Sequence, residues 1–157
     1  MSLLNRIHLE SRIKQEGGLF HKNHPKSYEL YQWARKSLHG GVPMLWMVRW
    51  AGSFPVFVRE ARGARFTDVD GNSYIDFCLG DTGAMTGHSP TATVNAITEQ
   101  IQKGITLMLP YEDVIWVGEE LQRRFKLPYW QFALTATDAN RFVLRMARMI
   151  TERPKIL

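Results

Sequence analysis

The stretch 129–153 constrains the fold of this chain more than any other. It begins with an apolar run, passes through a polar turn at residues 135–138 and continues as a segment with apolar residues at every third or fourth position. Those apolar residues are Ala139, Phe142, Val143, Met146, Ala147 and Ile150. The pattern predicts a short buried strand, a tight turn and an amphipathic helix of about four turns.

The turn before this helix is a candidate anion site. Thr135 or Thr137 offers a hydroxyl that caps the helix, and the N–H groups of the first turn have no partner inside the helix. Such a helix start is suited to an anion. Asp138 supports the other interpretation, an ordinary capped helix, because a carboxylate in the first turn already satisfies the helix dipole. The residues alone leave both interpretations open.

Composition places the chain among globular proteins. Its 157 residues are 45% hydrophobic and include five Trp and eight Phe, which is enough for one domain with a sizeable core. Cys78 is the only cysteine, so no intrachain disulfide is possible and we expect a reducing, cytoplasmic location. The N-terminal residues have no signal-peptide pattern, and no stretch is apolar enough to predict a membrane span.

The formal net charge of +5 raises the question of nucleic-acid binding. The basic residues are spread along the chain and alternate with acidic ones, without a run of four or more. This distribution is typical of a solvated surface, so we predict no nucleic-acid partner. No metal site is predicted either.

Two helices are expected at the N-terminus. Residues 3–16 show a weak apolar face and are followed by Gly17-Gly18, which should end the helix. A second helix is expected to begin with Ser27 as its cap and to end at Gly40-Gly41.

The periodicity changes to two from residue 55 onwards. Residues 55–61, 64–69 and 73–79 read as three short strands, separated by Arg62-Gly63 and by a tight-turn signal at Asp70-Gly71-Asn72. They predict a small antiparallel meander, which is followed by a glycine-rich connection at 79–89. We place a domain boundary within this connection, with an N-terminal arm and meander at 1–85 and the beginning of a larger domain at 86–157.

The second part reads as helix, loop, helix and strand. Ser89 and Pro90 should start a helix that runs to Lys103, and residues 112–125 should form another. Apolar residues on these helices are expected to be buried, namely Ala92, Val94, Ala96, Ile97, Ile101, Ile115, Val117, Leu121 and Phe125. With the strand at 129–134 and a further strand beginning at 154, the pattern predicts an α/β protein whose mostly parallel sheet has only begun. We therefore expect the front part of a larger protein.

The order of these features resembles the N-terminal third of a class III aminotransferase of the pyridoxal-phosphate fold type I group, which includes glutamate-1-semialdehyde aminomutase and β-amino-acid transaminases. Four segments carry the resemblance: FTDVDGNSYIDF (66–77), GAMTGHSP (83–90), FALTATDAN (132–140) and LRMARMITERPKIL (144–157). The second and third resemble the family's Gly-His-Pro connection and its Ser-Gly-Thr-Glu-Ala segment. Together the matches span about residues 40–157.

The resemblance implies pyridoxal 5'-phosphate as the cofactor. In the family, backbone N–H groups of the Ser-Gly-Thr turn hold the cofactor phosphate, and here Thr135, Ala136 and Thr137 stand in those positions. Asp138 replaces the family's Glu. Ala136 is the departure that matters, because its methyl group replaces a glycine that is free to adopt positive φ.

The lysine of transamination is expected outside this chain. In the family, the Schiff-base lysine and the carboxylate that pairs with the pyridine nitrogen lie far downstream, so we assign no catalytic residue here and expect the isolated chain to be inactive. Lys155 opens a predicted strand rather than following one, and the other lysines have ordinary solvated positions: Lys14, Lys22, Lys26, Lys36, Lys103 and Lys126.

Part of the substrate pocket is implied by the same resemblance. Trp46, Arg49 and Trp50 are candidates, with Arg49 suited to a bidentate ion pair with a substrate carboxylate. The residues themselves also fit packing for the two tryptophans and a surface charge for Arg49. Residues 81–83 are expected to approach the cofactor, and we expect a homodimer because the family is dimeric.

His88 and Asp76 are expected to be structural. The position of His88 beside Ser89 fits a role in fixing the start of the next helix, and that of Asp76 a hydrogen bond within the meander.

The leading prediction is therefore the N-terminal portion of an aminotransferase or aminomutase that moves an amino group between an amino acid and a carbonyl acceptor. The alternative is a non-catalytic domain that binds a phosphate, or nothing, at the Thr135 turn and acts in assembly. A dinucleotide-binding enzyme is a more distant interpretation, because no Gly-x-Gly-x-x-Gly sequence follows a strand.

Overall fold

The computed structural model describes residues 6–49 and 52–155. The chain forms two compact units, Met1–Lys103 and Gly104–Leu157, called here the first and the second unit. The first unit contains helices α1 (Arg6–Asn23), α2 (Pro25–Ala34) and α3 (Thr91–Lys103), and strands β1 (Val58–Arg62), β2 (Arg65–Asp68) and β3 (Ser73–Ile75). The second unit contains α4 (Asp113–Phe125) and α5 (Ala136–Thr151). Within the described ranges, no helix is long and apolar enough to cross a membrane.

The predicted meander is confirmed. The strands pair in the order β1-β2-β3, and both pairs are antiparallel. Arg62 faces Arg65 across the first turn, and Thr67 faces Ser73 across the second. Gly71 adopts φ 95° in the second turn, which is a conformation that favours glycine over residues with a side chain. The three strands are shorter than the apolar alternation suggested.

Both N-terminal helices differ from their predicted limits. Gly17 and Gly18 lie inside α1, because neither adopts the positive φ of a helix-ending glycine. The helix ends at Asn23 instead, just before His24-Pro25, since a residue preceding proline disfavours the helical region. Ser27 is the third residue of α2 rather than its cap. The prediction that this helix runs to Gly40-Gly41 was wrong too, because it ends at Ala34.

The core of the first unit is aromatic. Phe54 is 5% exposed, and its ring centroid lies 4.8 Å from those of Phe20 and His21 and 5.2 Å from that of Tyr28. Gly41 packs directly on Tyr31, because a Cβ at this position would stand 2.6 Å from the Tyr31 ring. These contacts join α1, α2 and the segments that follow them around one small core.

The apolar faces of α3, α4 and α5 are largely exposed, so the burial predicted for the faces of α3 and α4 was wrong. Val94 is 43% exposed, Ile115 63% and Ile150 73%, and Leu121 alone in the predicted set is half-buried. An amphipathic helix defines an apolar face, but burial of that face requires a second layer packed against it. Periodicity carries no information on whether the same chain supplies that layer.

Two predicted strands are absent from the described part of the chain. Residues 129–134 and 152–155 form no β-strand. A strand requires a hydrogen-bonded neighbour, and the recorded sheet contains only β1, β2 and β3. The α/β class is nonetheless confirmed, since the described residues combine five α-helices with a small sheet in the predicted order.

Candidate functional site

The predicted turn at 135–138 starts α5 as a capped helix. Thr135 has extended dihedral angles, φ −138° and ψ 155°, and its Oγ1 accepts a hydrogen bond of 3.1 Å from the backbone N–H of Asp138. Its carbonyl oxygen accepts the first helical hydrogen bond, 3.1 Å from the N–H of Ala139. Of the two candidate caps that the sequence offered, Thr135 is the cap, and Thr137 lies in the first turn.

Ala136 occupies the first helical position of α5. Its φ is not positive, so the backbone here accommodates a side chain without left-handed strain. Replacement of the family's glycine by alanine is therefore compatible with the local fold. The backbone N–H groups of Ala136 and Thr137 belong to the set that an α-helix leaves without intrahelical partners.

Charges around the turn have both signs. The carboxylate of Asp138 accepts a 2.9 Å hydrogen bond from the hydroxyl of Thr135, and Arg141 places a guanidinium nitrogen 3.8 Å from the other carboxylate oxygen. All three residues are exposed or half-exposed. The cationic partner offsets part of the negative charge that Asp138 brings to the helix start. Because the Thr135 hydroxyl donates to Asp138, the donors left for an anion are the two backbone amides and the Thr137 hydroxyl, a set with the chemistry of an oxyanion site.

The glycine-rich connection has an unusual backbone. Leu79, Asp81, Thr82 and Ser89 all have positive φ without being glycine, and Thr82 reaches 75°. Left-handed backbone is costly for a β-branched residue such as threonine. The predicted cofactor-approaching segment 81–83 is therefore a strained turn, which requires support from the surrounding structure.

That support comes from Asp76 and His88. The His88 Nε2 lies 2.6 Å from one Asp76 carboxylate oxygen, and the other oxygen accepts the backbone N–H groups of Cys78 and Leu79 at 2.9 Å. The hydrogen bond from His88 and those from the two amides lower the pKa of Asp76. His88 also exchanges two backbone hydrogen bonds with Gly63, of 2.8 and 2.9 Å. Both ends of the connection are thus fastened to the meander.

The helix that follows the connection begins at Thr91. Ser89 does not act as the predicted cap in the recorded contacts; its hydroxyl donates to the carbonyl of Ala61 at 3.1 Å. The predicted structural role of His88 and Asp76 agrees with their contacts. Their pairing with each other was not foreseen, because twelve residues and a strained turn separate them in the chain.

The predicted substrate residues lie in one short 3-10 helix, Leu45–Arg49. Trp46 is 49% exposed and Arg49 is exposed. Among the residues that the structure describes, no ion pair of Arg49 is recorded. Its guanidinium thus remains available for an anionic group. Trp50 lies outside the described residues, and the proposed pocket around Trp46 and Arg49 stays a prediction.

All seven lysines are exposed to solvent. An amine that forms a Schiff base is normally activated by desolvation or by neighbouring cations. The exposed surroundings of these lysines offer no such activation.

A surface groove with a volume of about 880 Å³ lies in the first unit. It is formed by the meander and the beginning of α3, and its lining includes Arg62, Arg65 and Ser89. The residues predicted for the phosphate and the substrate do not line it. The groove therefore has no part in the predicted site.

Comparison with known proteins identifies the protein family of this chain. The family model described as "Aminotransferase class-III" matches residues 46–157. The chain therefore belongs to the class III aminotransferase family.

Individual relatives give a more detailed comparison. A glutamate-1-semialdehyde 2,1-aminomutase from Methanocaldococcus jannaschii is 36% identical over 133 residues, which are 84% of this chain and 31% of the relative. The crystal structure of a glutamate-1-semialdehyde aminomutase from Pseudomonas aeruginosa PAO1 has 51% identity and a TM-score of 0.89, over 96% of this chain and 33% of the other. The structure of a transaminase with PLP bound has 32% identity and a TM-score of 0.79, over 84% of this chain and 31% of the other. The chain spans about a third of the length of these relatives.

Proposed function

We propose that this chain is the N-terminal portion of a pyridoxal-phosphate-dependent aminotransferase or aminomutase. The complete protein would move an amino group between an amino acid and a carbonyl acceptor. Family membership carries this proposal, and the similarity to glutamate-1-semialdehyde aminomutases along nearly the whole chain supports it. The relatives' additional length supports the expectation that further residues are needed for activity.

The Thr135 turn is the proposed phosphate site. The backbone amides of Ala136 and Thr137 and the Thr137 hydroxyl would hold the phosphate at the start of α5, where the helix dipole favours negative charge. Thr135 would keep these donors oriented by capping the helix. The helical backbone of Ala136 favours this assignment, because the donors are retained despite the methyl group.

The bound cofactor supplies an electron sink for the carbon that bears the amino group. The chain's own part is to hold and orient that group through its phosphate, which is a positioning function. The Schiff-base lysine is proposed to lie outside this chain, in keeping with the exposure of all seven lysines.

Substrate binding is proposed for Trp46 and Arg49. Arg49 is exposed and forms no ion pair with the part of the chain that the structure describes, so it is suited to a substrate carboxylate, which it can bind through two parallel hydrogen bonds. Trp46 would provide an apolar wall beside it. The complete protein is proposed to be a cytoplasmic homodimer.

A non-catalytic assembly role is the alternative. The exposed apolar faces of α4 and α5 favour it, because large apolar surfaces of this kind mark interaction sites. In that case Asp138, which already accepts the Thr135 hydroxyl, would be sufficient to satisfy the helix start.

Cofactor loading of the complete protein separates the two functions. Pyridoxal phosphate should bind and become fixed by borohydride to a single lysine outside residues 1–157. Failure to bind, or fixation to a lysine of this chain, would contradict the proposal.

A further inference from the structure

His24 stands at the junction between the N-terminal helices and the meander. It lies between α1 and α2, and only 8% of its surface is exposed. Its ring packs on Phe20, with centroids 4.3 Å apart. Both ring nitrogens make short contacts, 2.7 Å from Nδ1 to the Phe20 carbonyl oxygen and 2.7 Å from Nε2 to the Tyr74 hydroxyl oxygen.

Tyr74 connects this ring to a buried carboxylate. Its hydroxyl lies 2.8 Å from Oδ2 of Asp68, a residue with no exposed surface. Asn72 donates to both oxygens of that carboxylate, from its backbone N–H at 2.8 Å and from its side-chain amide at 2.9 Å. His24, Tyr74, Asp68 and Asn72 are called here the His24 network.

The hydrogen bonds of the His24 network require a definite number of protons. The Phe20 carbonyl only accepts, so the contact at Nδ1 requires a proton on Nδ1. Two further hydrogen bonds, His24 to Tyr74 and Tyr74 to Asp68, require two protons. Suppose that His24 is neutral with its proton on Nδ1, that Tyr74 is neutral and that Asp68 is ionised. The Tyr74 hydroxyl then supplies the one proton available for these two hydrogen bonds. The three hydrogen bonds therefore require one proton more than these protonation states of His24, Tyr74 and Asp68 supply.

The environments of Asp68 and Tyr74 determine which residue carries this additional proton. Burial opposes ionisation of Asp68, but hydrogen bonds from Asn72 and Tyr74 outweigh it, so the pKa of Asp68 is lowered. Burial and the neighbouring Asp68 raise the pKa of Tyr74 to about 12. Asp68 is thus ionised and Tyr74 keeps its proton, which it donates to Asp68. The Nε2 of His24 must then donate to the Tyr74 oxygen.

We infer that His24 is held as an imidazolium that donates from both ring nitrogens, and that these hydrogen bonds fasten α1 and α2 to the meander. Its charge is balanced by Asp68, whose Oδ2 lies 3.6 Å from Nε2. The position at the C-terminal end of α1 also favours a cation. The other titratable groups near the network are Asp70 in the β2–β3 turn and His21 on α1.

Loss of the proton breaks one of the two hydrogen bonds of the ring. A neutral ring has a single N–H, so either the Phe20 carbonyl or the Tyr74 hydroxyl loses its donor. The carboxylate of Asp68 is needed as well, because its contribution to stability is lost as pH falls through its lowered pKa.

The protonation state can be observed directly in the chain labelled with 15N-histidine. At about pH 7.5 an ordinary histidine, with a pKa of roughly 6.5, is mostly neutral. Long-range 1H–15N spectra should show both His24 ring nitrogens carrying protons at this pH. A neutral ring, or a protonated Asp68 carboxyl in the 13C spectrum, would overturn the inference.

Variants test the role of the bridging hydroxyl. Tyr74→Phe should remove the proton from Nε2 at the same pH and leave a neutral ring that donates to Phe20. Tyr111→Phe, an exposed position in the second unit, is the matched control and should leave the His24 signals unchanged. A ring that stays doubly protonated in Tyr74→Phe would contradict the network. Should that variant fail to fold, the wild-type spectrum and its carboxyl signal still decide the inference.

Discussion

Thr135 and Asp138 bind each other twice across the first turn of α5. The Asp138 backbone N–H donates to the Thr135 Oγ1 at 3.1 Å, and the same hydroxyl donates to the Asp138 carboxylate at 2.9 Å. One side chain thus serves as acceptor for the helix start and as donor to the acidic residue. The pair fixes the orientation of the amides that lie between them, those of Ala136 and Thr137.

The cap gives a first prediction. Thr135→Ala removes the acceptor of the Asp138 amide and should destabilise α5 by about 1 kcal/mol, whereas Thr135→Ser keeps the hydroxyl and should cost much less. Helix content against temperature, followed by circular dichroism, measures the difference. Equal stability of the two variants would show that the Thr135 side chain does not act as a cap.

Ala136 gives a second prediction. Ala136→Gly should lower the stability of α5 by at most about 1 kcal/mol, because the native backbone is helical and glycine has the greater freedom when unfolded. The backbone donors are unchanged, so the cofactor affinity of the complete protein should change by less than about tenfold, or 1.4 kcal/mol. A larger gain in affinity would mean that the methyl group obstructs the phosphate.

Asp70 caps α2 from a distant part of the chain. Its carboxylate accepts the backbone N–H groups of Lys26 and Ser27, at 2.7 and 3.0 Å, and the Ser27 hydroxyl at 2.8 Å. Asp70→Ala should therefore cost about 1–2 kcal/mol, the value of a lost helix cap. Urea unfolding followed by tryptophan fluorescence measures this loss of stability.

The pH dependence of this cap has a definite sign. Burial opposes ionisation of Asp70, but the hydrogen bonds from Lys26 and Ser27 outweigh it, so its pKa is lowered from the ordinary 3.8. The stabilisation is then complete above the ordinary value and is lost as pH falls through the lowered one. The stability difference between wild type and Asp70→Ala should accordingly shrink in acid. A difference that is constant between neutral and strongly acidic pH would contradict the role of the carboxylate.

The pair Asp76 and His88 predicts the behaviour of the strained connection. Asp76→Asn weakens the hydrogen bond with His88, so the backbone amides of Cys78 and Leu79 should exchange with deuterium faster. Amides of β2 serve as an internal control and should be unaffected. Because the pKa of Asp76 is lowered, wild-type protection should likewise be lost only as pH falls below the ordinary carboxylate range. Unchanged protection in the variant would leave the strained turn without its proposed support.

Local signals predicted much of this fold. The Asp70-Gly71-Asn72 turn and the period of two around it predicted the meander, and the polar turn before α5 predicted a threonine cap, either Thr135 or Thr137. These features depend on neighbours in sequence, for which propensity and turn chemistry are informative.

Contacts across long separations were not predictable in the same way. The Ser27 hydroxyl was assigned to its own helix, but it binds Asp70, 43 residues away. His24 and Tyr74 are separated by 50 residues. A single sequence contains no signal for such pairs. The exposed faces of α4 and α5 show a related limit, because periodicity identifies an apolar face but not its partner.

The central claim is that the turn containing Thr137 binds the phosphate of pyridoxal phosphate. No hydrogen bond of the Thr137 side chain is recorded among the described residues, so Thr137→Ala should leave the fold intact. Thr151→Ala is the matched control, since Thr151 lies at the other end of α5 and its hydroxyl donates to Ala147. The most direct measurement is the pyridoxal phosphate affinity of the complete protein. Thr137→Ala should weaken binding about tenfold, the loss of one hydrogen bond to a charged group, and Thr151→Ala should not. Equal affinity in wild type and Thr137→Ala would contradict the claim.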